Sequence, residues 1–309
     1  MYIDAHLHLA DYLDCCSVSG GIHECFAHPA SFCCSAHDRN EFARHQAFLE
    51  QDGFTARPPN APSCPPHISA AVCSAQKQRV LFSFGIHPQN PVTDEADFLY
   101  RLLETKCIQA IGECGFDLFN NAYKQTVPDQ RRVWDMQIQW AQAFQLPIVI
   151  HCRKALPLIF ESAAQLKKLP AVIFHGWGGS PQEAASFLKK GVNAYFSLGK
   201  AVLRGQKSVC AMAAQFDIHR LLTETDAPYM RLKDEAFSHP RDIIAVTARC
   251  AELREAGCRT GILTQYTACS TALDETHIAD SGLAEFLNSI GENFCCAFGL
   301  SGGNLKGNL

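Results

Sequence analysis

A short apolar run that carries a metal-binding side chain near its end recurs along this chain, and the recurrence limits the possible folds more than any other feature. The runs are YIDAHLHL, AIGECGFD, PIVIHCR, AVIFHGW and LLTETDAP, which present His6 and His8, Glu113, His151, His175 and Asp226. One imidazole on an apolar strand is ordinarily a hydrogen-bonded core residue. Five strands that each end in a ligand type describe a binuclear centre at one rim of a barrel, because a closed parallel sheet collects the ends of remote strands at a common mouth.

The rest of the pattern agrees. Runs rich in Val, Ile and Phe predict strands at 2–8, 30–36, 80–87, 110–116, 147–152, 171–177, 194–198 and 220–225. Amphipathic stretches between them predict helices near 38–51, 94–106, 126–145, 155–168, 181–190, 203–215 and 240–256. Unbroken βα alternation points to an α/β fold, a (β/α)8 TIM barrel, as one domain over residues 1–309. Two insertions interrupt it. Residues 53–79 are proline-rich and fall between the second helix and the third strand, at the rim opposite the ligands, which predicts a surface excursion without catalytic duty. Residues 257–281 precede LAEFLNSIGENFCCAFGL, which reads as a closing helix, and SGGNLKGNL reads as a loose tail.

Bulk properties remove several classes. The chain is 47% apolar and 19% charged with a net charge of -4, which suits a large soluble domain and neither invites nor excludes nucleic acid. No apolar run reaches the roughly 18 residues of a membrane span, and MYIDAHLHLA has no basic n-region, so a cytoplasmic protein without membrane contact or an obligatory protein partner is expected. The 16 cysteines do not form C-x2-C pairs, and they are read as free thiols filling apolar space rather than as disulfides or a zinc site.

In a strand, side chains two apart share a face. His6 and His8 therefore offer one metal two imidazoles, with Asp4 one layer deeper as a brace for one of them. Glu113 is the candidate bridge, since a carboxylate spans two cations about 3.5–4 Å apart and an imidazole does not. His151 and His175 would serve the second metal. Asp226 would ligate the first and accept a proton from the attacking water, with Glu224 a brace below it. Two cations lower the pKa of a bound water from about 16 toward 7. Arg153, two residues beyond His151, is placed to grip a phosphate in bidentate fashion. Lys200, Arg204, Lys207, Arg231 and Lys233 follow later strands, either tracking a polyanion along the rim or belonging to ordinary solvated loops. His87 would contact a substrate phosphate or support a ligand, and Trp177 would stack on a base or plug the mouth.

These segments resemble the TatD-type metal-dependent hydrolases, TIM-barrel nucleases of the amidohydrolase-like group. The similarity lies in DAHLHL (4–9), FGIHP (84–88), IGECGFD (111–117), the stretch from Gln130 through LPIVIHCRKA, FHGWGGS (174–180) and ETDAPYM (224–230), in the family's order over most of the chain. The resemblance implies a binuclear site of His6, His8, Glu113, His151, His175 and Asp226 holding two divalent ions (Mg, Mn or Zn). It also implies hydrolysis of DNA, often from the 3′ end of single strands. Relatives that act at abasic sites or on D-aminoacyl-tRNA esters make a deacylase an alternative. The family more often reads His-x-Phe-Ser-Gly where this chain has HGWGGS, and Cys114 and Cys152 beside two ligands are also departures. Hydrolysis of a neutral ester or amide, and a non-catalytic barrel that keeps metal for stability, are the competing readings. Four imidazoles favour zinc, manganese or nickel over magnesium, although family practice includes magnesium.

Overall fold

A computed structural model describes residues 1–16, 25–26, 28, 30–51, 71–73, 78–259 and 275–300. Eight parallel strands form the barrel wall: β1 (Tyr2–Leu7), β2 (Ala30–Ala36), β3 (Gln78–Phe84), β4 (Ala110–Asp117), β5 (Ile148–Arg153), β6 (Val172–Phe174), β7 (Ala194–Leu198) and β8 (Leu221–Thr223), hydrogen-bonded in that order. β8 returns beside β1, where Asp226 N donates to His6 O at 3.0 Å and His8 N to Ala227 O at 2.8 Å. The helices between them are α1 (Leu9–Cys15), α2 (Arg39–Gln51), α3 (Ala96–Glu104), α4 (Asn121–Gln125), α5 (Val127–Phe144), α6 (Leu156–Glu161), α7 (Ala163–Leu166), α8 (Pro181–Lys189), α9 (Lys207–Gln215), α10 (Ile243–Arg259) and α11 (Glu275–Ala297). This is the expected TIM barrel; among the described residues, α1 and α4 are connecting helices that the apolar period did not reveal. No helix of the described residues is long and apolar enough to cross a membrane.

Local sequence sets the elements in place. Ser180-Pro-Gln-Glu183 starts α8 as a reciprocal capping box: Glu183 N donates to Ser180 Oγ at 3.2 Å and Ser180 N to Glu183 Oε2 at 2.7 Å. Pro181 occupies the position where a missing N–H costs nothing. The core lies in two layers, between strands and helices and inside the barrel, with Phe32, Phe82, Phe84, Phe116, Phe174 and Phe196 all fully buried. Cys33, Cys34, Cys114 and Cys250 are buried thiols in this core, used as small apolar side chains.

Both insertions extend beyond the described residues. Within the first, Ala71–Cys73 pairs antiparallel with the start of β3, so a ninth short strand joins the sheet away from the ligand end. Around the second, α10 runs through 259 and α11 already begins at Glu275, ahead of the closing helix expected from residue 283. The 301–309 tail lies outside the described residues.

Two strands break register where they carry ligands. Along β1 and β2, Asp4 pairs Phe32 but Leu7 pairs Cys34, and along β4 and β5, Ile111 pairs Ile148 but Cys114 pairs Ile150. Each is one extra residue, a bulge, beside His6 and Glu113 respectively, and a bulge re-aims a side chain. Gly115 is required by close approach. Its φ is 140°, and a Cβ there would sit 2.1 Å from the carbonyl oxygen of His151.

Candidate metal centre

Glu113 is the hub of the mouth. Its Oε1 lies 3.1 Å from His6 Nε2, 2.8 Å from His175 Nε2 and 3.8 Å from His151 Nδ1. Its Oε2 lies 3.5 Å from His8 Nε2 and 3.4 Å from His87 Nε2. Asp226 Oδ1 stands 3.5 Å from both His6 Nε2 and His8 Nε2. Two groups of donor atoms therefore share one carboxylate: His6, His8, Glu113 and Asp226 on one side, His87, Glu113 and His151 on the other. All six residues expected as ligands are brought together, and His87 joins them.

The donor set fits divalent cations. His6 Nε2 and His8 Nε2 face each other at 3.2 Å, and Asp226 Oδ1 is buried with no hydrogen-bond partner among the described residues. A cation between these lone pairs satisfies what side-chain protons satisfy only in part. Electrostatics point the same way. Burial works to raise the Glu113 carboxyl, but the facing His175, His6 and His151 outweigh it and hold it well below the usual range. Burial works to lower His8, yet Asp226 and Glu113 lift it to about 9. Both shifts come from imidazoles and carboxylates facing one another at close range.

Two of the imidazoles have a further carboxylate beside them. His151 Nε2 meets Asp117 Oδ2 at 3.1 Å, and that oxygen also accepts from Gln89 Nε2 at 2.7 Å. Asp117 is in turn fixed by the buried Gln130, whose Oε1 accepts from Asp117 N at 2.9 Å. His175 Nδ1 is 3.6 Å from Glu224 Oε1, which accepts from Gly176 N at 2.6 Å. Orientation by a neighbouring carboxylate is how metal-binding imidazoles are commonly aimed.

Four expectations need correction. Asp4 braces no imidazole: its carboxylate takes Thr225 N at 2.9 Å and Thr225 Oγ1 at 2.7 Å, so it ties β1 to the segment after β8. Lys200 is not part of a basic rim. It is fully buried, and its ammonium pairs with Glu235 and with Asp242, the latter at 2.7 Å. Trp177 does not face the mouth: β6 ends at Phe174, and Gly176 at φ 54° breaks the strand parity. Its ring packs instead on Phe174 and Phe196, at centroid distances of 5.3 and 4.7 Å. Finally, His8, His87, His175 and Asp226 lie just past their strands rather than in the sheet. Arg153 and Arg204 are exposed, Arg153 at the end of β5 and Arg204 after β7.

Asp117, His37 and Asp11 escaped the sequence reading. Asp117 shares the face of Glu113 in IGECGFD, so the period-2 rule was enough to find it. His37 directly follows β2, the same signal that marked His87. It groups with His8 and Asp11, and Tyr229 Oη donates to Asp11 Oδ2 at 2.7 Å.

The family model for TatD related DNase matches residues 3–268. A curated protein of Pectobacterium parmentieri (strain WPP163), named 3'-5' ssDNA/RNA exonuclease TatD, is 31% identical over 154 residues, which is 48% of this chain and 58% of its own length. The protein of the same name from Pantoea ananatis (strain LMG 20103) is 33% identical over 157 residues, with 48% and 58% covered. The chain thus spans less than two thirds of the length of these curated relatives. The crystal structure of a TatD homolog from Escherichia coli K12 superposes with a TM-score of 0.68 over 97% of this chain and 98% of that one, at 21% identity.

Proposed function

We propose, on the premise that this chain belongs to the TatD related DNase family, that it hydrolyses phosphodiester bonds of single-stranded DNA. The observation that carries the reading is the single buried carboxylate of Glu113, faced by five imidazoles drawn from four segments of the barrel rim. His6, His8, Glu113 and Asp226 would hold one divalent ion and Glu113, His151 and His175 a second, with magnesium, manganese and zinc the candidates. Such ions, when bound, acidify a water and offset charge on phosphoryl oxygens. Asp226 would orient the attacking water and take its proton, a role open to a carboxylate whose Oδ1 has no hydrogen-bond partner among the described residues. Arg153, exposed two residues beyond His151, grips the phosphate. The nucleophile is water, and the adjacent Cys114 stays protonated because burial pushes its thiol well above the usual value. The polarity proposed, from the 3′ end, follows the curated relatives named 3'-5' ssDNA/RNA exonuclease TatD.

The test digests single-stranded oligonucleotides labelled at either end with Mg²⁺, Mn²⁺ or Zn²⁺ supplied. Stepwise shortening from the 3′ end is expected, and Arg153→Ala should lose most of it. Undiminished turnover by Arg153→Ala would favour a small neutral substrate, and no cleavage with any metal would overturn the nuclease reading.

A further inference from the structure

Beside the second half of the centre lies a surface feature that metal binding does not use. Phe119 follows β4 and is 45% exposed, one of few large apolar side chains left so open. The Arg153 guanidinium lies 3.6 Å from its ring centroid and the Lys154 ammonium 4.6 Å. Consecutive strand residues point to opposite faces, so two neighbours on one ring need a turn of the backbone. Lys154 supplies it with φ 56°, in the left-handed region that a residue with a long side chain rarely adopts. No carboxylate among the described residues pairs with either cation. The result is an aromatic face carrying two cations whose charge no carboxylate among the described residues offsets.

This tray is registered to the centre by one side chain. Asp117 Oδ2 meets His151 Nε2 at 3.1 Å, while Asp117 Oδ1 accepts from Phe119 N at 2.8 Å. The ligand and the platform are therefore fixed by the two oxygens of the same carboxylate. Leu118 N also donates to Arg153 O at 2.8 Å, which sews the Phe119 loop to β5. Arg153 stands two residues from His151, about 6.6 Å along a strand, within the span of one nucleotide.

We propose that Phe119, with Arg153 and Lys154 against its ring, is a nucleotide subsite next to the scissile phosphate. An unpaired base stacks on the ring and guanidinium surface, and the two cations meet the adjoining phosphate. The inference rests on the nuclease reading and deepens it. Stacking on an exposed aromatic or guanidinium plane needs a base splayed out of any duplex, so the subsite selects single strands.

The experiment compares wild type, Phe119→Leu and Phe119→Trp, with Mn²⁺, on end-labelled single-stranded oligonucleotides. One tetrahydrofuran residue, a sugar phosphate without a base, is walked through successive positions near the cleavage point. On intact DNA, Phe119→Leu should raise KM roughly tenfold with little change in kcat, and Phe119→Trp should restore it. At one position of the base-less residue, the wild-type KM should rise to that of Phe119→Leu, whose own KM should stay put. A Phe119→Leu loss that is equal at every position, or no loss, overturns the subsite while leaving the nuclease intact. Failure of the wild type to cut any oligonucleotide overturns the nuclease reading and the subsite with it.

Discussion

Replacing Lys200 by Met removes a charge and little volume, so it separates two accounts of this residue. In the structure its side chain is 1% exposed and pairs with Glu235 and Asp242, themselves 31% and 21% exposed. Deleting one partner of a buried ion pair costs about 3–5 kcal/mol, because the remaining charge is left uncompensated. Here water reaches both carboxylates, and Glu235 Oε2 retains Leu232 N at 2.7 Å while Asp242 Oδ2 retains His239 N at 2.9 Å. The expected loss is therefore smaller, about 2–3 kcal/mol. Equilibrium urea unfolding followed by tryptophan fluorescence measures it. A lysine that touched substrate phosphate would act differently: its loss would flatten the dependence of log affinity on log salt by about 0.7 for single-stranded DNA. Lys200→Met should leave that slope unchanged, whereas Arg153→Ala should reduce it. Unaltered stability together with a flatter slope would refute the buried-strap reasoning.

Asp226→Asn should keep the fold and bound metal while the single-turnover cleavage rate falls about 10²–10⁴-fold, since it removes a proton acceptor rather than a structural group. His45 is fully buried in α2, and both ring nitrogens lack hydrogen-bond partners among the described residues. Burial, then the charges of His8 and Arg44, lowers it to about 3. Below the unfolded value near 6.5 the unfolded chain takes up a proton that the folded chain refuses, so stability is full above that pH and falls as pH drops toward 3, by on the order of 4 kcal/mol. His45→Leu should flatten urea midpoints across pH 4–7, and a midpoint that stays as acid-sensitive as wild type would rule His45 out. Cation binding should release protons at pH 7, because His8 is lifted to about 9 before a metal arrives. Titration calorimetry in buffers of different ionisation enthalpy reads that release, and heats independent of buffer would contradict it.

How far the sequence reaches depends on what sets each residue's direction. His6 and Glu113 lie in strands, where the two-residue period governs the side chain, and Asp117 was open to the same rule; His8 is the first residue past its strand. His151 was found for the same reason. Trp177 was misplaced because the strand had already ended at Phe174, and parity carries no information past the left-handed turn at Gly176. Lys200 looked like a surface base because its partners, Glu235 and Asp242, are 35 and 42 residues away in sequence, and no local pattern announces them. Asp4 was assigned to the imidazoles nearest in sequence, while its real partner, Thr225, comes from the far side of the barrel seam. Phe119 gave no signal, since a single Phe after a strand is unremarkable until Arg153 and Lys154 are seen against it.

Zinc titration of metal-stripped protein, read by calorimetry and by metal analysis of the dialysed product, tests the role of Glu113 most directly. The wild type should take up two ions per chain, and Glu113→Ala should weaken both binding events, because one carboxylate serves both halves of the centre. A wild type that binds a single ion, or a Glu113→Ala variant that keeps two at undiminished affinity, would contradict the shared-carboxylate site.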